Sequence, residues 1–341
     1  MAYRYLGNKT RLLEWLTDTI GEYVPYGSRI ADPMCGTAAV SEALAQAGYS
    51  VAASDFLTFP VLHAKARLLF NEAPSFVSLG GYEKAIDHLN ALTPVAGYFH
   101  REFSPAGAPG YGGSPRAYFT PENAMRIDAV RGETKRLYDA GEVTLGERDL
   151  LLHDLALAVN DVANITGTYG YFRAAWNSQA LLPLHLVPGS FDPTPGDHAV
   201  MQADAADALS LFEGDAVYLD PPYTKRQYSG NYHVLETIAM GDEPFANGAG
   251  GLRDWRHQAS DFCYRKKAPA AFRQILDATE AKHFFISYSE DGQVSPDELR
   301  ALLGSYGKVE RFDLEIARFR SNSRTAENGV TEHLYHVERG A

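Results

Sequence analysis

Asp215-Ala216-Val217-Tyr218-Leu219-Asp220-Pro221-Pro222-Tyr223 is the stretch on which the reading of this chain turns. Residues 216 to 219 form an apolar, β-rich run, the pattern of a buried parallel strand. A carboxylate and two prolines follow. Proline has no N–H and a fixed φ, so the strand stops and the chain turns outward. This puts Asp220 and Tyr223 at the carboxyl edge of a sheet, where open α/β folds bind ligands. Asp220 and the carbonyl of Pro221 can each accept one N–H of an exocyclic amine, and Pro222 helps keep that carbonyl rigid. Tyr223 offers a ring on which a base can stack. The residues therefore suggest methylation of an amine nitrogen. A plain Pro-Pro turn with a surface tyrosine has the same letters.

Upstream, two strands carry a second acidic pattern. Ser28 to Ala31 reads as a strand running into Asp32-Pro33-Met34-Cys35-Gly36-Thr37, then an Ala-rich helix up to Gly48. Val51 to Asp55 is a further strand that ends in an acid. Strand, glycine turn and helix, with a carboxylate about 20 residues on, is the layout that holds a nucleotide-like ligand. Lys9 to Glu22 has amphipathic helical spacing, and its first residue is a lysine at the positive helix end, which makes a bound carboxylate a fair partner.

Helical periodicity follows over Thr58 to Asn71 and Tyr82 to Leu92, and Ser104 to Ser114 is a Gly/Pro loop. Thr120-Pro121 opens a helix, and Thr144 with Glu147 forms a capping box that opens another, reaching about Asn164. Gly167 to Trp176 is dense in glycine and aromatics and reads either as packing or as a base-contacting wall. Strand–helix alternation returns at residues 200–211, with Asp204 ending the strand. A helix at 269–281, a strand at 283–288, a helix at 296–303 and two pairable strands at 308–316 and 332–338 complete the pattern. We expect an α/β domain over 1–72 and 150–341, with a mainly helical insertion at 73–149.

The chain has 341 residues and a net charge of −12, which argues against a generic basic coat for nucleic acid. Its two cysteines lack metal-type spacing, so no metal or disulfide is expected, and a reducing cytoplasm is the default. No apolar run is long enough to span a bilayer. Basic residues cluster locally: Arg4, Lys9 and Arg11, then seven against five acids over 224–267, then Arg311, Arg318, Arg320 and Arg324.

Three ordered stretches give the chain a family likeness: Tyr5-Leu6-Gly7-Asn8-Lys9, Asp32 to Thr37, and Asp220-Pro221-Pro222-Tyr223 continuing through Arg226-Gln227-Tyr228 to Asn231-Tyr232-His233. Together they resemble the N6-adenine DNA methyltransferases of the Dam-like and restriction–modification type. The resemblance implies a Rossmann-like, S-adenosylmethionine-dependent methyltransferase fold acting on double-stranded DNA, with any restriction endonuclease a separate protein. It implies that Tyr5 and Lys9 contact the methionine part of the cofactor, that Asp32, Pro33, Met34, Gly36 and Thr37 line it, that Asp55 holds its ribose and that Asp204 faces its adenine. It also implies that Asp220, Pro221, Pro222 and Tyr223 hold the target adenine, with Lys225, Arg226, Tyr228, Asn231 and His233 toward DNA. The family usually has Phe where Met34 stands and a second glycine where Ala38 stands. Two alternatives stay open: an RNA exocyclic-amine methyltransferase and a catalytically silent DNA-binding regulator. Regions 73–150 and 224–267 are the expected readers of bases.

Overall fold

A computed structural model of the chain describes residues 5–316 and 330–340. The chain divides into two compact units: a sheet unit of Gly7–Phe56, Thr194–Gln227 and Ala259–Ala341, and a helical unit of Met1–Leu6, Leu57–Pro193 and Tyr228–Gln258. Arg4, Arg318, Arg320 and Arg324 lie outside the described residues.

The sheet unit is built on seven strands: β1 (Arg29–Asp32), β2 (Ser50–Asp55), β3 (Ala199–Gln202), β4 (Ala216–Leu219), β5 (His283–Ser289), β6 (Gly307–Ile316) and β7 (Val330–Arg339). Their order is β3-β2-β1-β4-β5-β7-β6. All neighbours are parallel except β7, which runs antiparallel to both β5 and β6. This is the Rossmann-like α/β arrangement expected from the sequence. The two final strands pair antiparallel as their spacing suggests, over Gly307↔Arg339 to Ile316↔Val330. β7 also pairs with β5, which hairpin spacing alone does not indicate.

β4 and β5 are buried along their whole length, as their unbroken apolar runs require. Val217, Leu219, Phe284 and Ile286 share a core with Phe272, Leu276, Leu299 and Leu303 from the helices Ala268–Asp277 and Pro296–Leu303. From β1 the chain winds outward to β2 and β3 on one side, and from β4 to β5 on the other. The order therefore reverses between β1 and β4, which is where such sheets open a crevice beyond their strand ends. The register Ala31↔Val217 sets the end of β1, Asp32, level with Tyr218, and Asp220 lies two residues beyond.

The helical unit is larger than the expected insertion. It comprises helices Thr58–Leu68, Tyr82–Asn90, Tyr98–Phe103, Pro121–Asp139, Leu145–Val162, Tyr228–Asn231 and His233–Met240. Its core joins Phe59 and Leu62 to Leu151, Leu155 and Val159 and to Tyr232, Leu235 and Ile238. Helix Thr58–Leu68, expected as part of the α/β domain over 1–72, packs into this core. Glu236 fixes its start, because that carboxylate accepts from the backbone N–H groups of Thr58 (2.9 Å) and Phe59 (3.1 Å). A cap supplied from 178 residues away leaves no local trace in the sequence. The local caps are where the sequence puts them: Thr120 accepts from Asn123 N–H, and Thr144 and Glu147 cap one another's backbone. Among the described residues no helix is long and apolar enough to cross a membrane.

Candidate active site

The site grows from the ends of β1, β2 and β4 within the sheet unit. At β1, Asp32 is buried and its Oδ2 accepts from Ser41 Oγ (2.6 Å), while Oδ1 is buried without a hydrogen-bond partner among the described residues. Burial pushes this carboxyl up to about 7, with the nearby Asp220 and Asp55 charges adding to the shift. The turn that follows is tied to β2. Cys35 N–H donates to the Ser54 carbonyl (3.0 Å), and Gly36 N–H donates to Asp55 Oδ2 (3.1 Å). Gly36 sits at φ 51°, which glycine adopts at no steric cost. Ala38, wholly buried, adopts φ 56° where the family's glycine would stand, so its methyl is held in a left-handed conformation. Met34 is half-buried against the sheet core, and Pro33 and Thr37 are buried.

At β4, Pro221 is buried while the Asp220 side chain keeps 19 % exposure. Burial pushes Asp220 up to about 6; Lys9 pulls it down, and Glu332 pushes it further up. The Tyr223 ring meets Tyr288 edge-on at 6.2 Å, and its backbone carbonyl accepts from Gln293 N–H (3.0 Å). Burial also raises the Tyr223 hydroxyl.

Lys9 does not stand in a helix. Its carbonyl accepts from Leu12 N–H in a turn, and the helix spans Leu13–Gly21. From this lead-in its buried ammonium reaches Asp220 Oδ1 (3.2 Å) and Glu332 Oε1, and lies 5.8 Å from the centre of the Tyr223 ring. The carboxylates that a helix-start lysine calls for are thus in part the protein's own. Glu332, on β7, was invisible in sequence as anything but a strand residue; Ser287 Oγ on β5 donates to its Oε1 (2.7 Å). Alternation gave no signal, because residues 332 to 337 are all buried and β7 has no exposed face from which an inward glutamate stands out.

Other expected residues fall elsewhere. Asp55 holds Gly36, and Asp204 is exposed and caps helix Ala205–Ser210 through Ala206 N–H (3.0 Å). Lys225 and Arg226 are exposed just after the proline turn. Tyr5, Tyr228 and Asn231 belong to the helical unit. There the Tyr5 ring stacks on Tyr232 (4.8 Å), Tyr228 Oη donates to the Leu6 carbonyl (3.0 Å), and the Asn231 carbonyl accepts from Tyr169 N–H (2.7 Å). His233, expected to face DNA, is corrected: its ring is wholly buried, with Nε2 2.9 Å from the Tyr169 carbonyl and Phe103 and Tyr118 alongside. Burial lowers it to about 3, so it is a neutral core histidine. In the Gly167 to Trp176 stretch, Tyr169 is wholly buried as the packing expectation has it, while Tyr171 is 55 % exposed and stacks on Phe172.

Cys35 and Cys263 are buried free thiols. Burial and the neighbouring Asp55 and Asp32 charges raise Cys35 well above a thiol's ordinary range, so it stays protonated and is no nucleophile.

Acidic groups at the ends of adjacent parallel strands, at the point where strand order reverses, define an α/β nucleotide-type ligand site. The chain belongs to the D12 class N6 adenine-specific DNA methyltransferase family, whose pattern matches residues 5–302. It is 30% identical to the Type II methyltransferase M.FokI of Planomicrobium okeanokoites, over 98% of this chain and 52% of that protein. It is 32% identical to the modification methylase LlaI of Lactococcus lactis subsp. lactis, over 94% of this chain and 51% of that one. Against the Type II methyltransferase M.NlaIII of Neisseria lactamica the identity is 28%, over 98% of this chain and 99% of the relative. The chain thus spans about half the length of M.FokI and LlaI and nearly all of M.NlaIII.

Proposed function

We propose that the protein is a site-specific DNA methyltransferase that uses S-adenosylmethionine to methylate the N6 amine of an adenine turned out of its duplex. The observation that carries this reading is the meeting of Lys9, Asp220 and Tyr223 at the end of β4, with Asp32 at the end of the adjoining β1. The cofactor fits the charge balance there. Asp220 and Glu332 share one lysine, Asp32 feels the charges of Asp220 and Asp55, and one Asp32 oxygen has no hydrogen-bond partner among the described residues, so the site favours a ligand that brings positive charge. When bound, S-adenosylmethionine supplies that charge and an electrophilic methyl group.

The protein's own residues prepare the amine. Lys9 engages Oδ1 of Asp220, which leaves the other carboxylate oxygen to accept an amine N–H, and the Pro221 carbonyl takes the second. These two bonds turn the nitrogen lone pair out of conjugation with the ring. Tyr223 supports the base by stacking. A methylated amine carries a surplus proton, and Asp220, poised near 6, is placed to receive it. Asp32 and Met34 line the cofactor, Asp55 meets its ribose, and Lys225 with Arg226 contacts phosphates. The base-reading elements belong to the helical unit, and a separately encoded endonuclease completes a restriction–modification pair. Two relatives bear the name of modification methylase, which supports a role in a restriction–modification pair.

Incubation with S-adenosylmethionine and either unmethylated genomic DNA or total RNA, followed by digestion and mass analysis, tests the reading. N6-methyladenine in DNA is expected. Asp220→Ala should lower the rate by at least about 10²–10³-fold while cofactor binding is largely kept. Methylguanine in RNA or N4-methylcytosine in DNA would overturn the substrate.

A further inference from the structure

We propose that Glu332 is a positioning residue for methyl transfer: anchored by Ser287, it holds the Lys9 ammonium away from full engagement with Asp220, so that Asp220 keeps an oxygen for the substrate amine. The inference rests on the functional reading above and adds a residue outside the three motif stretches.

The geometry is a bridge. Oε1 of Glu332 receives both Ser287 Oγ (2.7 Å) and Lys9 Nζ, and the same ammonium reaches Asp220 Oδ1 at 3.2 Å. Glu332 is only 4 % exposed, so its charge is not dispersed into water. β7 carries it to this place: the register Ser289↔Glu332 sets it one step diagonally from Ser287 on the same face of the sheet. A lysine has a flexible stem and three rotatable donors, so a single carboxylate fixes its head poorly. Two carboxylates on either side fix it well.

The arrangement also explains why a second buried acid is tolerated beside the first. If Lys9 paired with Asp220 alone, the ammonium would neutralise it closely and compete with the amine for its oxygens. Sharing Lys9 with Glu332 weakens that hold. Asp220 is faced by Lys9 from the lead-in, Glu332 from β7, Asp32 from β1, Tyr218 from β4 and Tyr223 from the turn. Of these, Lys9 touches Asp220 directly and Glu332 touches that lysine, and the two charges act on Asp220 with opposite sign.

The test compares Glu332→Gln, Ser287→Ala and Lys9→Met by two readouts: the pH profile of kcat/KM on DNA, and the titration of the Asp220 carboxyl followed by ¹³C NMR. Glu332→Gln should move the acidic limb and the Asp220 titration to lower pH by on the order of one unit, with a reduced plateau rate. Lys9→Met should move both to higher pH. Ser287→Ala should follow Glu332→Gln more weakly, and it keeps the test open where the glutamine variant folds poorly. The double variant should be no slower at its plateau than Lys9→Met, because Glu332 acts through the lysine. Loss of rate in Glu332→Gln without movement of either midpoint would overturn the proposal and leave Glu332 a structural partner. The NMR readout is independent of turnover, so absence of DNA methylation in the parent protein would sink the functional reading without touching it.

Discussion

Buried acids are treated differently in the two units. In the helical unit each is saturated. Asp128 accepts from the backbone N–H groups of Gly97, Phe99 and His100, Glu236 from Thr58 and Phe59, and Glu102 from the Arg116 guanidinium. Burial raises Asp128, but three amides pull it back. In the sheet unit Asp32 has the Ser41 hydroxyl and a weaker backbone N–H from Met34, with Oδ1 outside strict hydrogen-bond geometry among the described residues, and Asp220 shares one lysine with Glu332. Acids that hold a fold are given their donors in advance. Those left short of donors and positive charge are the ones assigned to the ligand in the proposed function.

The sharpest way to break this contrast is to remove one acid of each kind. Asp128→Ala strands one buried N–H group, that of Phe99, and two partly buried ones, those of Gly97 and His100; an unmet buried donor costs about 1–3 kcal/mol, so denaturant unfolding should show a loss of about 2 kcal/mol or more. A loss under about 1 kcal/mol would show that Asp128 is not a structural anchor.

Asp32→Asn should do the reverse in the cofactor-free protein. The folded-state value, about 7, lies above the ordinary carboxylate value, so the folded chain binds the proton more tightly than the unfolded one. Asp32 therefore costs little below about pH 4, and its cost grows as pH rises to 7. The variant should be more stable than the parent by roughly 2–4 kcal/mol at pH 8 and by less at pH 5, with weaker cofactor binding at both. The histidines lowered by burial, His63, His198, His233, His283 and His336, titrate alike in parent and variant and drop out of the difference. Equal stability at both pH values would show that Asp32 is already satisfied.

Tyrosines extend the comparison. Tyr232 is wholly buried in the Tyr5 stack, whereas Tyr223 is half-buried, braced on one side by Tyr288. Tyr223→Phe should keep most activity, and Tyr223→Ala should lose about 1–3 kcal/mol of base holding, read as a change in kcat/KM. A phenylalanine variant as damaged as the alanine one would make the hydroxyl the essential part.

The smallest expected effect is at Ala38. Glycine would relieve about 1–2 kcal/mol of left-handed strain, yet it forfeits a buried methyl worth about 0.8 kcal/mol and adds roughly 0.5–1 kcal/mol of backbone entropy. Ala38→Gly should therefore shift stability by less than about 1 kcal/mol. A loss beyond about 2 kcal/mol would mean that the methyl packs more than it strains.

What the sequence made legible was local. Residues 216–223 announce a buried strand and its abrupt end, 28–37 a strand and glycine turn, and 308–338 a hairpin, because each pattern is written in neighbouring residues. What it hid depended on distance along the chain. Glu236 caps a helix 178 residues away, and Glu332 meets a lysine 323 residues away. His233 follows a motif that points outward by analogy, yet its helix His233–Met240 turns it into an aromatic core. Periodicity reports which face is buried, not which partner buries it.

The place of β7 has a consequence for how the protein is made. β7 lies between β5 and β6, and it brings Glu332. On a ribosome, β1, β2, β3, β4 and β5 can all emerge and pair while β5 still has an open edge, and β6 has no partner until residues 330–339 follow it. A nascent chain would thus carry Asp220 and Lys9 long before it carries Glu332, the second carboxylate that Lys9 meets. The Lys9–Glu332 contact therefore forms only once residues 330–339 are in place, after the other six strands of the sheet have been made.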